Sequence, residues 1–236
     1  MADEQYYIGW DVGGWNCDRN SKSRDALVIL DRSLSLAGKP WRGNLRETIN
    51  RAEGTAEWLR ALFRLCETDV ANNLVQITLA IDTPLGFPDA LRALAGGLEA
   101  AGRIGESATN PYLYRRTEQF MFERGWKPLS PIKDMIGSQA TKGMHVLAKF
   151  APRIASCGVW TDGSGFRALE GYPTPCRRSR VIRALREPFA AMPDADCEDA
   201  LLCALLAHLY MEKRRTLEEP GEDIPVAEGW IWFPKA

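Results

Sequence analysis

The chain is poor in histidine, with only His145 and His208 among 236 residues, and no two of its six cysteines stand as Cys-x-x-Cys. Cys17, Cys66, Cys157, Cys176, Cys197 and Cys203 are scattered. A zinc knuckle or a disulfide framework needs clustered spacings, so neither is expected. The two histidines fall in no pairing with a serine and an acid, which leaves a Ser-His-Asp mechanism without support. Long apolar runs are missing too: none approaches the roughly 20 residues that cross a bilayer. The opening Met1-Ala2-Asp3-Glu4 is acidic, unlike the basic start of a signal peptide. Cysteines inside apolar stretches, such as Cys66 and Cys203, read as small buried hydrophobes in a reducing cytoplasm. The net charge is only −1, so the global basic field of a dedicated nucleic-acid-binding protein is absent.

What the chain does have is acids at the ends of apolar runs. Asp11 ends Tyr6-Tyr7-Ile8-Gly9-Trp10 and is followed by Val12-Gly13-Gly14. Asp82 ends Leu74 to Ile81, and Thr83-Pro84-Leu85-Gly86 breaks that strand. Glu170 closes Phe166 to Leu169, and Asp196 and Asp199 open the apolar stretch from Ala200 to Tyr210. Carboxylates gathered at strand ends suit hard, oxygen-seeking cations, here Mg²⁺ or Mn²⁺. Asp11, Asp82, Glu170 and Asp199 are therefore the candidate catalytic and metal-binding residues, with Asp196 as a further ligand. Each has a plainer reading. Asp11 can cap the Gly13-Gly14 turn and Asp82 the turn before Pro84. Glu170 can be a salt-bridged surface residue beside the arginines of 176–186. Asp196 and Asp199 can form a helix cap with a favourable dipole interaction.

Hydropathy periodicity predicts strands at 6–11, 25–30 and, more weakly, 34–41, with the Asp31-Arg32 turn favouring a hairpin. An amphipathic helix is expected over 48–67, a buried strand over 74–81, and a helix capped by Asp89 through Leu98. Residues 103–138 interrupt the pattern, and a stretch this long and irregular is usually functional or a lid. With the helix expected at 141–154, an insertion of about 103–155 interrupts a single domain spanning 1–236. A strand or hairpin follows at 159–169, and a last helix at 196–213. The order β-β-β-α-β-α-(insert)-β-α matches an α/β, ribonuclease H-like fold: a mixed five-stranded sheet flanked by helices.

Five segments carry a family resemblance: Ile8-Gly9-Trp10-Asp11-Val12-Gly13-Gly14, Ala80 to Pro88, Leu169-Glu170-Gly171-Tyr172-Pro173, Asp199 to Ala204, and Glu228-Gly229-Trp230-Ile231. Together they resemble domain-of-unknown-function family 429, described as predicted ribonuclease H-like nucleases, over residues 6 to about 234. The resemblance implies the fold and an acidic site. The Asp199-Ala200 step also resembles the last helix of Holliday-junction resolvases, where an aspartate at the start of an apolar helix binds metal.

The reading these observations favour is a metal-dependent phosphodiester hydrolase, nuclease-like, in which metal activates water at the scissile phosphate. Tyr112, Tyr114, Arg115, Arg116, Arg178 and Arg180 are the expected substrate contacts, arginines on phosphates and tyrosines on bases. One alternative is a catalytically silent scaffold that binds nucleic acid or protein. The other is an ATP-dependent phosphotransferase, suggested by Asp11-Val12-Gly13-Gly14 but lacking a second Gly-rich loop. Nucleic acid and a small phosphorylated molecule both remain open as substrate, and no membrane partner is expected.

Overall fold

Alternation of apolar residues along a central strand decides the layering of the molecule. The structure, a computed structural model, describes residues 4–20, 22–70 and 75–235. Met1 to Asp3 and Leu74, to which the sequence assigned an acidic start and a strand start, lie outside the described residues. The strands are β1 (Glu4–Asp11), β2 (Asp25–Asp31), β3 (Trp41–Gly43), β4 (Val75–Asp82), β5 (Arg153–Ser156), β6 (Val159–Thr161), β7 (Phe166–Gly171) and β8 (Ile231–Trp232). The helices are α1 (Arg46–Arg51), α2 (Thr55–Leu65), α3 (Asp89–Gly97), α4 (Arg116–Glu123), α5 (Gly137–Phe150), α6 (Pro173–Arg178), α7 (Arg180–Arg186) and α8 (Ala195–Glu212).

The sheet runs β3-β2-β1-β4-β7-β6-β5, and β8 adds to β7. Among the described residues it has eight strands, where five were expected. Strands β1, β2, β4 and β7 stand where the sequence placed strands, and β6 falls within the strand or hairpin expected over 159–169. β3, β5 and β8 were not anticipated, and all three are short. Short pieces with a weak period of two leave little signal in the sequence. Strands β1, β4 and β7 are parallel, whereas β2, β3, β5 and β6 run antiparallel to their neighbours.

Each central strand is apolar on both faces, as a sheet covered on both sides requires. Tyr7, Ala80 and Leu169 face a cluster built on α8, closed by Trp230, Trp232 and Phe233. Ile8, Trp10, Leu79, Ile81, Phe166 and Ala168 face the other way, onto α1, α2 and α5 through Ile49, Trp58, Leu62, Phe63, Val146 and Phe150. Helix α8 is buried on nearly all sides from Cys197 to Tyr210, because the sheet covers one side and α6 and α7 cover another. An all-round apolar helix is stable only in such a place.

Three local expectations shift. The helix expected over 48–67 breaks into α1 and α2 at Ala52-Glu53-Gly54, where Ala52 turns extended and Gly54 starts α2 from an extended backbone. The strand expected over 34–41 is a turn instead. The Asp31 carboxylate accepts from the Ser33 and Ser35 amides at 2.8 and 3.0 Å; after it the chain pairs with β2 only at an isolated Leu36–Leu30 bridge, and continuous strand pairing begins at Trp41. The helix start expected at Asp196 lies earlier: Asp194 is the cap, its side chain accepting from the Cys197 amide at 2.8 Å. Helix α5, at the end of the segment expected as an insertion, packs its Val146, Leu147 and Phe150 into the core. No helix among the described residues is long and apolar enough to cross a membrane.

Candidate acidic site at the sheet edge

Strand register brings two of the predicted acids together. Asp11 and Asp82 are direct partners in the parallel pairing of β1 and β4, so their backbones stand about 4.8 Å apart. Both end their strands at the same edge, and both alternate onto the α8 face, in step with Tyr7 and Ala80. Helix α8 comes unusually close there. A Cβ on Gly9 would overlap the Ala200 carbonyl oxygen, so only glycine lets the helix rest on β1. That contact carries Asp199, one residue earlier on α8, to the same edge.

The three acids feel one another. Burial raises the Asp11 carboxyl to about 9, and the charges of Asp82 and Asp199 add to it. Burial also holds Asp82 well above the usual carboxylate range, helped by Asp199 and Glu170 and opposed by Arg177. Asp199 is raised by burial, while its hydrogen bond from Arg177 pulls the other way. Asp199 is ion-paired with Arg177, but Asp11 and Asp82 form no ion pair with any described residue. Two adjacent, partly desolvated carboxylates without a counter-ion are costly unless one is protonated or a cation joins them.

Glu170 is placed differently. It alternates with Ala168 and Phe166 onto the opposite face of β7, and both its oxygens are in use. The Arg115 guanidinium donates to them at 2.6 and 2.8 Å, and the Leu85 amide donates at 2.8 Å. The same guanidinium grips Glu118 at 2.5 Å, with Arg115 0% exposed. Burial works against the Arg115 charge, yet the two carboxylates outweigh it and raise its pKa. Glu170 borders the acid pair but is an ion-pair partner, close to the plainer reading of its sequence, with the arginine coming from 115 rather than from 176–186. Asp196 is likewise committed: Arg42 holds it at 2.7 Å and the Arg24 amide at 3.0 Å.

The expected substrate contacts largely turn inward or pair off. Arg115 is fully buried and cannot meet a substrate, which corrects that expectation; Glu118, three residues on in the helix it begins, provides the second carboxylate that makes burial tolerable. Tyr114 is buried edge-on against Phe122, with ring centres 4.9 Å apart, and has no free face for a base. Tyr112 is half-buried, its hydroxyl accepting from the Ala101 amide at 2.8 Å. Arg116 pairs with Asp223 at 3.0 Å, and Arg178 lies over the Trp126 ring at 5.2 Å. Arg180 is exposed on α7.

Sequence reasoning missed a second buried ion pair beneath the first loop. Lys142 pairs with Asp25, both fully buried, and also donates to Asn44 at 3.1 Å and to the Gly13 and Gly14 carbonyls at 3.3 Å. Asp25 in turn accepts from the Gly13 amide at 2.9 Å and from Trp10 Nε1 at 3.1 Å. The network fixes the turn that follows Asp11. Its signal was in the sequence: Lys142 falls at helical spacing from Val146 and Phe150, a charge on an apolar stripe.

A cavity of about 230 Å³ opens over the acid pair. Asp11, Asp82 and Thr83 lie on one side, and Pro128, Leu129 and Ile136 from the segment between α4 and α5 lie on another. Thr83 is 5% exposed, and its hydroxyl has no hydrogen-bond partner among the described residues. Comparison with family models, with curated proteins and with solved structures finds no match to this chain.

Proposed function

We propose that the protein is a metal-dependent phosphodiester hydrolase on a ribonuclease H-like scaffold, with one Mg²⁺ or Mn²⁺ held by Asp11 and Asp82. The observation that carries the reading is the in-register pair itself: two adjacent, partly desolvated carboxylates without a counter-ion. Support for the scaffold comes from the order β3-β2-β1-β4-β7, parallel from β1 onward, with the acids at its edge.

The donor set fits a magnesium-type ion, which takes one or two protein carboxylates and keeps several waters. Among the described residues no three His, Cys, Asp or Glu side chains converge as a cage, so the fit is to a wet, two-carboxylate site rather than an enclosed one. Both Glu170 oxygens are engaged by Arg115 and one Asp196 oxygen by Arg42 and the Arg24 amide, which leaves Asp11 and Asp82 to hold one ion. Such an ion would supply a water of lowered pKa and polarise a phosphoryl oxygen.

The protein's own groups do the rest. Asp11 and Asp82 orient the cation at the strand ends. Arg177 keeps Asp199 beside them, and its half-exposed guanidinium is available to a phosphate oxygen. Pro128 and Ile136 exclude bulk water from one side, which strengthens these interactions. The six free thiols suit a reducing compartment, so the cytoplasm is the proposed location.

Calorimetric titration with Mn²⁺ tests the reading. The wild type should bind one ion, and Asp11→Asn and Asp82→Asn should each abolish binding while the chain stays folded. Unchanged binding in both variants, or none in the wild type, defeats the proposal.

A further inference from the structure

Resting on the phosphate-ester reading, the geometry points to a substrate class: we infer that the cavity takes a small ester carrying one phosphate and about one ring, and not a nucleic-acid duplex. The acids are not on an open surface. They line a cavity of about 230 Å³, below the roughly 300–1,000 Å³ of pockets that enclose drug-sized ligands. The wall contributed by Pro128, Leu129 and Ile136 stands over the strand ends that carry Asp11 and Asp82.

Charge argues the same way. No lysine or arginine lines the cavity. A polyanion is held by a row of cations that displace its counter-ions, and three of the four arginines expected to form that row are engaged. Arg115 is buried between Glu118 and Glu170, Arg116 is paired with Asp223 and Arg178 is laid over Trp126, which leaves only Arg180 of the four, exposed on α7, for a phosphate. A single phosphate needs no such row, because the cation on Asp11 and Asp82 balances its charge.

The remaining lining suits a compact ester body. Pro84, Leu129, Ile136 and Tyr172 offer apolar surface, and Gln139 offers a hydrogen bond. In the proposed step a water oxygen forms the new P–O bond, releasing one of its protons to solvent, as the bond to the ester oxygen breaks. The ester oxygen leaves as an alkoxide or phenoxide that takes up a proton from solvent.

The test uses the full chain with Mn²⁺, methyl p-nitrophenyl phosphate as the small one-ring diester, and short single- and double-stranded oligonucleotides as competitors. Leu129, 53% exposed at the rim, is the place to narrow or widen the cavity without disturbing the core. Leu129→Trp should raise KM for the small ester at least about tenfold with kcat little changed, as loss of ground-state binding does. It should leave Mn²⁺ affinity unchanged. Oligonucleotides should fail to inhibit cleavage of the small ester. Inhibition by an oligonucleotide that weakens with salt, or a KM indifferent to Leu129→Trp, overturns the inference while leaving the hydrolase reading in place. Absence of Mn²⁺ binding in the wild type instead removes the hydrolase reading, and this inference with it.

Discussion

Asp11 and Asp82 end neighbouring parallel strands at the same level, each the other's register partner. Their proximity is therefore a property of the sheet and not of side-chain choice. Register is fixed by burial on both faces, since a slip of one residue would turn Trp10 and Ile81 out of their core and the acids into it. Asp199 is added by helix α8, and Arg177 of α6 supplies the positive charge that keeps this third acid in place. The result is a site with one excess acid pair, poised for a cation.

Neutralising one of the pair should stabilise the metal-free protein. Asp11→Asn removes a carboxylate whose charge is opposed by burial and by Asp82 and Asp199. Relief of each kcal/mol should raise Tm by roughly 2–4 °C in a chain of this size. Mn²⁺ should raise the Tm of the wild type and leave that of the variant unmoved, because a ligand stabilises only the fold that binds it. Scanning calorimetry with and without Mn²⁺ measures both effects. A variant less stable than the metal-free wild type would show that Asp11 has a structural partner.

The raised pKa of Asp11, about 9, sets a pH dependence. In the unfolded chain the carboxyl titrates near the ordinary aspartate value of about 3.9. Between that value and about 9 the folded state holds a proton that the unfolded state has lost. This contribution to stability is complete below the unfolded pKa and is lost as pH rises through the folded one. Urea denaturation of metal-free protein should show stability falling across this window, with a shallower fall in Asp11→Asn. Metal binding must expel the proton, so Mn²⁺ affinity should strengthen with rising pH until Asp11 is ionised. An affinity flat from pH 6 to 9 would count against Asp11 as a ligand.

Glu170 should separate from Asp82 in experiment. Arg115→Met leaves Glu118 and Glu170 buried without their cation and should cost about 3–5 kcal/mol, as breaking a buried pair does. Glu170→Gln keeps the shape, loses one charge, and should lower stability while leaving Mn²⁺ affinity near that of the wild type. Denaturant midpoints and calorimetric titration distinguish the two losses. A Glu170→Gln variant that folds normally but no longer binds Mn²⁺ would restore Glu170 as a ligand.

The difference between Asp82 and Glu170 also shows how far the sequence could be read. Long runs with strong periodicity, β1, β2, β4, β7 and α8, were legible because burial on both sheet faces or on all sides of a helix leaves an unbroken apolar pattern. Strand ends at Asp11 and Asp82 followed directly. What the sequence did not carry was partnership across long separations. Arg115 stands 55 residues from Glu170, and Lys142 stands 117 residues from Asp25. An arginine in a Tyr-Arg-Arg segment resembles a phosphate contact until the fold shows which way it turns. The period of two placed Glu170 with Phe166 and Ala168, which was enough to assign it the face opposite Asp11 and Asp82 once their own alternation was compared.

Close approach of α8 to β1 gives the last prediction. Gly9 is the point of contact: an added methyl group would overlap the Ala200 carbonyl and crowd the Ala204 amide. These are backbone atoms within a buried helix, so no side-chain rotation can make room. Overpacking a core usually costs about 1–3 kcal/mol, and Gly9→Ala should lie at or above the upper end. Gly171→Ala is the control, because its added methyl meets the Leu206 side chain at 3.0 Å and the Cys203 Sγ at 3.3 Å, both able to give a little. It should be the milder of the two. Gly9→Ala should also weaken Mn²⁺ binding in whatever fraction remains folded, because lifting α8 carries Asp199 and its Arg177 partner away from the strand ends. Gly171→Ala should leave that affinity nearly unchanged. Equal losses of stability in the two variants would mean that α8 can shift along the sheet, and that its contact at Gly9 does not hold the third acid in place.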